Sequence, residues 1–339
     1  MSRGSAVRWI EVMARYRPQT EWGWLRSRIE SSLSGQPGFG DKVRVEGRLQ
    51  PNHEGNCHDN YYFTANGRDL ILRMTKQYRS LRTPEEAREF LPREAETLRR
   101  LAHCSFPYPV PKVICMVTDD DGKPAGIIES CLDGAALWHF KGMLNARSRV
   151  EVIAQVAAAV HQLPKAEFAH LPAHADSGGH VRADLDALAQ AMFDEWPVAV
   201  DARDWITAHL TSRPATVLHG DLLPQNLLWD YRDSKNRECI SVVDWECARI
   251  GDPAYDLSIV TRGARQPLQE SGGFQRLLAV YNEATGTSLP ASAVHIHELL
   301  MHLRWLDATT QAKAAGKLEG HGPEQYAQKI QSMLRRFPQ

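Results

Sequence analysis

Three polar residues, Asp221, Asn226 and Asp244, stand at the edges of short apolar runs. Leu227-Leu228-Trp229 follows Asn226, Ile240-Ser241-Val242-Val243 precedes Asp244, and a polar stretch from Tyr231 to Glu238 separates the two runs. The pattern predicts two strands of a hairpin. Asp221 and Asn226 then lie on the loop entering the first strand and Asp244 at the exit of the second, which brings two carboxylates and an amide close together. The chemistry that wants such a trio is phosphoryl transfer, whose transition state asks for alignment and charge cancellation more than for covalent help. One carboxylate accepts the proton of an attacking hydroxyl, while an amide oxygen and a second carboxylate hold hard Mg²⁺ against nucleotide phosphates. Asp-x-x-x-x-Asn followed by Asp after a strand pair is the spacing of a kinase catalytic loop.

The loop reads His219-Gly220-Asp221, Asp244 is followed by Trp245-Glu246, and Gly251-Asp252-Pro253-Ala254-Tyr255-Asp256-Leu257 comes next. In these three pieces, in this order, the chain resembles the aminoglycoside phosphotransferase-like small-molecule kinases, choline-kinase and homoserine-kinase-type relatives included. Their motifs are H-G-D-x-x-x-x-N, then I/V-D-W/F-E, then G-D-P-x-x-D-L. The resemblance covers residues 41–310 by motif order and is sharp at 217–257. It implies an α+β, protein-kinase-like two-lobed fold, with a small antiparallel-sheet N-lobe and a mostly helical C-lobe. The expected divisions are a helical extension at 1–40, the N-lobe at 41–129, a hinge at 130–134 and the C-lobe at 135–339.

The resemblance also implies roles. Asp221 positions and deprotonates the acceptor hydroxyl, and Asn226 and Asp244 ligate Mg²⁺. Arg73 replaces the usual lysine and grips phosphate oxygens, which its fork matches, and Glu94 orients Arg73, with Glu96 as the rival position. Gly55 and Asn60 belong to a loop over the phosphates. Glu129 and Cys131 are the hinge positions whose backbone meets the purine of ATP or GTP. His219 braces the loop, and Asp252 and Asp256 are structural.

The remaining elements must position these residues. Residues 1–17 read as a short helix stopped by Pro18, and Thr20 can cap a second one carrying Trp22, Leu25, Ile29 and Leu33. Strands are expected at 43–45, 61–64 and 69–74, with Asn66-Gly67 as a hairpin turn. A helix from Glu85 to Leu101 follows, with Pro92 expected to break it in two. Two strands, 110–114 and 125–129, complete the sheet. From Arg147 the pattern is helical, and His161 reads as a packed histidine. Ser292 can cap a later helix. His295, His297 and His302 form no i, i+4 pair and read as packing, not as metal ligands. Asp307 and Glu319 lie where an acceptor could be contacted.

The chain has 339 residues, 43% hydrophobic and 24% charged, with a net charge of −1. No global field favours nucleic acid or an anionic membrane, and no run is long enough to span a bilayer. Six cysteines without metal spacing suit a cytoplasmic protein. Only six residues separate Asp244 from Gly251, which leaves little room for the activation segment of a protein kinase. A small-molecule hydroxyl acceptor is expected instead, with the protein a monomer or homodimer. Residues 165–205 hold eight acids against three bases, favouring a cationic acceptor such as an aminoglycoside-like antibiotic. Choline, an amino sugar, a macrolide or a homoserine-like metabolite stay open, as does a nucleotide-binding sensor without catalysis.

Overall fold

The protein is described here from a computed structural model, over residues 19–52, 58–75, 84–140, 148–230, 239–317, 320 and 322–337. The expected helix at 1–17, Gly55, the turn 231–238 and Glu319 fall outside these residues. The chain divides into two compact units. Unit 1 holds the described residues up to Ser105, together with Pro109–Gly134 and Ser241–Glu246; unit 2 holds Phe106–Tyr108, Ala135–Ile240 and the residues from Cys247 on.

Unit 1 opens with helix α1 (Gln19–Leu33). Five antiparallel strands follow: β1 (Val45–Asn52), β2 (His58–Ala65), β3 (Arg68–Thr75), β4 (Val113–Thr118) and β5 (Pro124–Ser130), in the order β1-β2-β3-β5-β4. The β2–β3 turn is built by Asn66 and Gly67, both at positive φ (48° and 71°), the geometry that matches strand twist. Strand periodicity sorts the side chains onto two faces. Leu70, Leu72 and Met74 join Leu25, Ile29 and Leu33 of α1 in one core. The side chains spaced four apart on α1 thus cap one sheet face. The other face carries Arg73, directly opposite Asn60 on β2 and Ile127 on β5. Helix α2 (Pro84–His103) packs there through Leu91 and Ala95 against Ile127. Contrary to expectation, Pro92 does not split α2, which runs continuously for 20 residues. Proline removes a single backbone donor, and the buried row Leu91, Ala95, Leu98, Leu101 holds the helix together across it. Two strands are displaced from expectation, β1 lying at Val45–Asn52 and not 43–45, and β4 at Val113–Thr118 and not 110–114, while β2 runs longer than its apolar centre implied, from His58 to Ala65.

Unit 2 is mostly helical. Strand β6 (Ala135–Ala136) comes first, then α3 (Arg149–His161), whose Ser148 and Glu151 form a reciprocal capping box. Next are α4 (Ser177–Asp186), α5 (Gln190–Glu195), α6 (Pro197–His209) and β7 (Thr216–Leu218). β8 (Leu227–Asp230), β9 (Cys239–Val242), whose last two residues count with unit 1, and β10 (Arg249–Gly251) follow, β10 pairing antiparallel with β7. The chain closes with α7 (Ala254–Thr261), α8 (Gly273–Thr285), α9 (Ala291–Ala314) and α10 (Pro323–Leu334). The N-cap of α9 is Pro290 and not Ser292, which lies inside its first turn. Ile296, Leu299, Leu303 and Leu306 of α9 pack with Ala202 and Ile206 of α6 and Ile330 and Met333 of α10. Among the described residues no helix is long and apolar enough to cross a membrane.

Candidate active site

Arg73 organises the polar face of unit 1. Its Nη1 lies 3.2 Å from Glu94 Oε1 on α2, and its Nη2 donates to Asp244 Oδ1 at 2.7 Å. Glu96, the rival position, pairs with Arg100 at the surface of the same helix. Asp244 has φ of 69°, a left-handed conformation that a non-glycine residue holds only when its surroundings enforce it. Part of that enforcement is the next residue: Trp245 N–H donates to the same Glu94 oxygen at 3.1 Å, and its buried indole donates to Val242 O at 3.2 Å. One glutamate therefore fixes both the arginine and the backbone that carries Asp244.

Two side chains share this face, one of a residue that sequence reasoning passed over and one of a residue it noticed only for its backbone. His58 is buried, with Nδ1 2.8 Å from Glu246 Oε2 and 3.3 Å from Arg73 Nη2. The carboxylate takes the Nδ1 proton, so the arginine contact is not a hydrogen bond. The other is Glu129, whose buried side chain belongs to the β5 residue directly opposite Ile71, two residues from Arg73. The alternation of β3 and its register with β5 would have placed it there. At Cys131, the other expected hinge position, the N–H donates to Asp69 O at 3.2 Å, continuing the β3–β5 ladder.

Charge and burial compete sharply here. Burial works against the Arg73 guanidinium, but Glu94, Asp244 and Glu129 outweigh it and hold its pKa well above the ordinary range. Burial pushes Glu94 up to about 7 against the pull of Arg73, and Glu129 likewise to about 7. Five buried polar atoms on this face have no hydrogen-bond partner among the described residues: His58 Nε2, Asn60 Oδ1, Arg73 Nε, Glu94 Oε2 and Glu129 Oε2. Buried polar groups are nearly always paired, so such a concentration fits a charged, polar ligand.

In unit 2, β7 leads into the loop His219-Gly220-Asp221. Asn226 Nδ2 donates to Asp221 O at 2.8 Å and to Asp221 Oδ2 at 3.0 Å. The amide nitrogen is thereby occupied, and the amide oxygen is the atom left for a hard cation. Asp221 N–H donates to His219 Nδ1 at 3.3 Å, so His219 braces the loop from within. Asp256, at the start of α7, supports it from below. It accepts His219 N–H at 2.8 Å and Gly220 N–H at 2.9 Å, and its Oδ2 lies 3.1 Å from His161 Nε2. Burial opposes the Asp256 charge, but His161, His219 and the Gly220 N–H more than offset it and hold the carboxyl below its ordinary range. Gly220 has φ of 82°, and a Cβ there would stand 2.1 Å from Cys247 O. The loop runs so close to the chain behind it that only glycine fits.

Asp252 is tied to Arg213 at 2.8 Å and to His297 at 3.0 Å. His295 pairs with Glu298 at 3.1 Å, and His302 meets the Glu298 carbonyl at 2.7 Å. All three α9 histidines are buried in such contacts. Among the described residues no group of three or more His, Cys, Asp or Glu side chains is arranged to hold a metal ion. Asp307 bonds Gln311 at 3.0 Å one turn on. In the acidic stretch, Asp176 caps α4 and Asp184 is buried against Arg304, whereas Glu167, Asp186, Asp194, Glu195, Asp201 and Asp204 are exposed.

Comparison with known proteins bears on this geometry. Viomycin phosphotransferase of Streptomyces vinaceus is 48% identical over 52 residues, which span 15% of this chain and 17% of that protein. Macrolide 2'-phosphotransferase MphH of Brachybacterium faecium superposes with a TM-score of 0.59 at 20% identity, over 94% of this chain and 99% of that one. An APH(2") enzyme in complex with GDP and kanamycin gives 0.61 at 15% identity, over 86% and 95%. At these identities the superpositions establish the fold, which is kinase-like and α+β. The family model described as phosphotransferase enzyme family, APH, matches residues 48–293, most of the chain, and the protein therefore belongs to that family and is a phosphotransferase.

Proposed function

We propose that the protein moves the γ-phosphoryl group of ATP or GTP to a hydroxyl of a small, cationic molecule, with Mg²⁺. The observation that carries this reading is the two-ended hold on Arg73, by Glu94 at 3.2 Å and Asp244 at 2.7 Å, the ion-pair arrangement that aims a cation at phosphate oxygens. Asp221 accepts the proton of the attacking hydroxyl, and the Asn226 bond to its carboxylate orients it. Asn226 Oδ1 and the Asp244 carboxylate would each supply an oxygen donor to Mg²⁺, which would neutralise charge on the phosphates. Arg73 holds phosphate oxygens, and Asn60, opposite it on β2, lies where the loop over the phosphates ends. The six exposed acids of 167–204 draw in a cationic acceptor, an attraction that weakens with salt. We place the enzyme in the cytoplasm, where nucleotide is available and its cysteines stay reduced.

The test is nucleotide consumption with Mg²⁺ over a panel of hydroxylated acceptors, with mass spectrometry of the product and Asp221→Ala as control. A phosphorylated product is expected, with kcat falling roughly 10²- to 10⁴-fold in the variant. Failure to bind either nucleotide would sink the reading; binding without transfer to any acceptor would favour a sensor.

A further inference from the structure

Around Asp252, in unit 2, polar side chains divide into those whose bonds are complete and those whose bonds are not. Asp252 is complete: it accepts Arg213 Nη2–H at 2.8 Å and Ala254 N–H at 3.1 Å and meets His297 Nε2 at 3.0 Å. Its own N–H donates to His180 Nδ1 at 3.1 Å. That bond fixes the tautomer, since an accepting Nδ1 leaves the proton of the neutral ring on Nε2. Burial first, then His297, Arg249 and His174, push the His180 pKa down to about 2, so the ring is neutral. Yet among the described residues His180 Nε2 is buried without a hydrogen-bond partner, and so is Asp184 Oδ2, 3.8 Å away. The other Asp184 oxygen is bonded to Arg304.

Arg249 stands beside this pair. Its guanidinium carbon lies 4.6 Å from the centre of the Tyr255 ring, which is itself 5.3 Å from the His180 ring. Arg249 Nη2 donates to the Tyr255 hydroxyl at 3.3 Å. Among the described residues no carboxylate forms an ion pair with Arg249. The two that act on it from further off, Asp184 and Asp256, are already bonded, to Arg304 and to the His219-Gly220 backbone. Arg249 and Arg304 set against Asp184 leave one positive charge unanswered. The location is apt: Arg249 is opposite Leu218, the residue before His219-Gly220-Asp221.

We propose that Arg249 anchors a carboxylate of the acceptor, while the His180 Nε2–H donor and the Asp184 Oδ2 acceptor take a neighbouring hydroxyl. A guanidinium fork matches a carboxylate in shape as well as charge, and a hydroxyl is the group that needs one donor and one acceptor. Joined to the exposed acids of the 165–205 stretch, the subsite names a zwitterionic hydroxy compound, with its cation toward the acids and its carboxylate on Arg249. This rests on the phosphotransferase reading above.

The test pairs hydroxy amino acids and hydroxy acids with their own carboxamides as acceptors, for the wild type and Arg249→Gln. The carboxylate member is expected to lead by at least about tenfold in kcat/KM, the equivalent of one charge-assisted contact, and the lead to vanish in the variant through KM. A second measurement is independent of turnover: the melting temperature in sodium acetate against sodium chloride at equal ionic strength. Acetate is expected to raise it in the wild type alone, and Arg249→Gln without acetate to melt no lower than the wild type, because an unanswered charge has been removed. A variant that melts several degrees lower, with acetate inert in both proteins, would make Arg249 a structural brace and overturn the proposal, as would equal turnover of acid and amide. If acetate acts through Arg249 while no acceptor is phosphorylated, the anion subsite stands and the phosphotransferase reading falls.

Discussion

Glu94 and Asp256 are equally buried, at 1% and 0% exposure, and their environments treat them oppositely. Asp256 is saturated by two backbone N–H groups and a histidine, and its carboxyl is held below the ordinary range. Glu94 keeps one oxygen without a partner among the described residues and is pushed by burial up to about 7, as is Glu129 nearby. The difference separates two uses of a buried acid. Behind the His219-Gly220-Asp221 loop the protein bonds both oxygens of Asp256 and so braces the loop. Around Arg73 it leaves bonds incomplete, which is how a site keeps room for the charges of a ligand.

The comparison can be broken in order of expected effect. Asp256→Ala should remove about 3–5 kcal/mol of stability, the penalty for stranding buried partners, and abolish turnover with it; a melting curve that scarcely moves would mean the loop does not depend on this acid. Glu94→Gln should do the reverse. Its melting temperature should stay near that of the wild type, while kcat/KM for nucleotide falls roughly 10- to 100-fold because Arg73 and the Asp244 backbone lose their common guide. Steady-state kinetics beside thermal denaturation separates the two.

Acid should distinguish them further. His180 stays neutral in the folded chain down to about 2 but takes up a proton near 6.5 once unfolded. The unfolded state binds more protons in that window, so stability is full above 6.5 and declines as pH falls below it. Asp252 and Asp256, whose folded pKa values lie beneath their ordinary 3.8, add a loss that begins only below that value and deepens as pH falls through their folded pKa values. Melting temperatures of the wild type and His180→Asn against pH should converge as pH falls from 6.5; parallel curves would refute the assignment. The smallest effect is expected at Glu96, two positions along α2 from Glu94. Its exposed i, i+4 pair with Arg100 is worth a few tenths of a kcal/mol, and Glu96→Ala should be nearly silent in both stability and rate.

The candidate residues were legible in the sequence because their types and spacings are constrained together. Asp221, Asn226 and Asp244 were named from pattern, and the strand cation with its helix glutamate from the family resemblance. Support residues were less so. Glu129 was noticed for its backbone, and its buried side chain emerges only from the register of β3 with β5. His58 and Glu246 meet across 188 positions, a pairing that no local pattern encodes. Pro92 reads as a helix breaker because propensity is local, and the apolar row through Leu91, Ala95 and Leu98 overrules it. Two of the eight acids also needed three dimensions: a string of acids does not tell which one caps a helix, as Asp176 does, and which is buried against Arg304, as Asp184 is.

The close approach of Gly220 to the Cys247 carbonyl has a bearing on descent. In a kinase loop of the H-R-D type the middle residue carries a long side chain, and here even a methyl would collide with backbone. The two loop types are therefore not neighbours in sequence space, although one codon change can separate glycine from arginine. Passing from one to the other needs the chain near Cys247 to withdraw first, so a library that randomises position 220 alone should return glycine and little else.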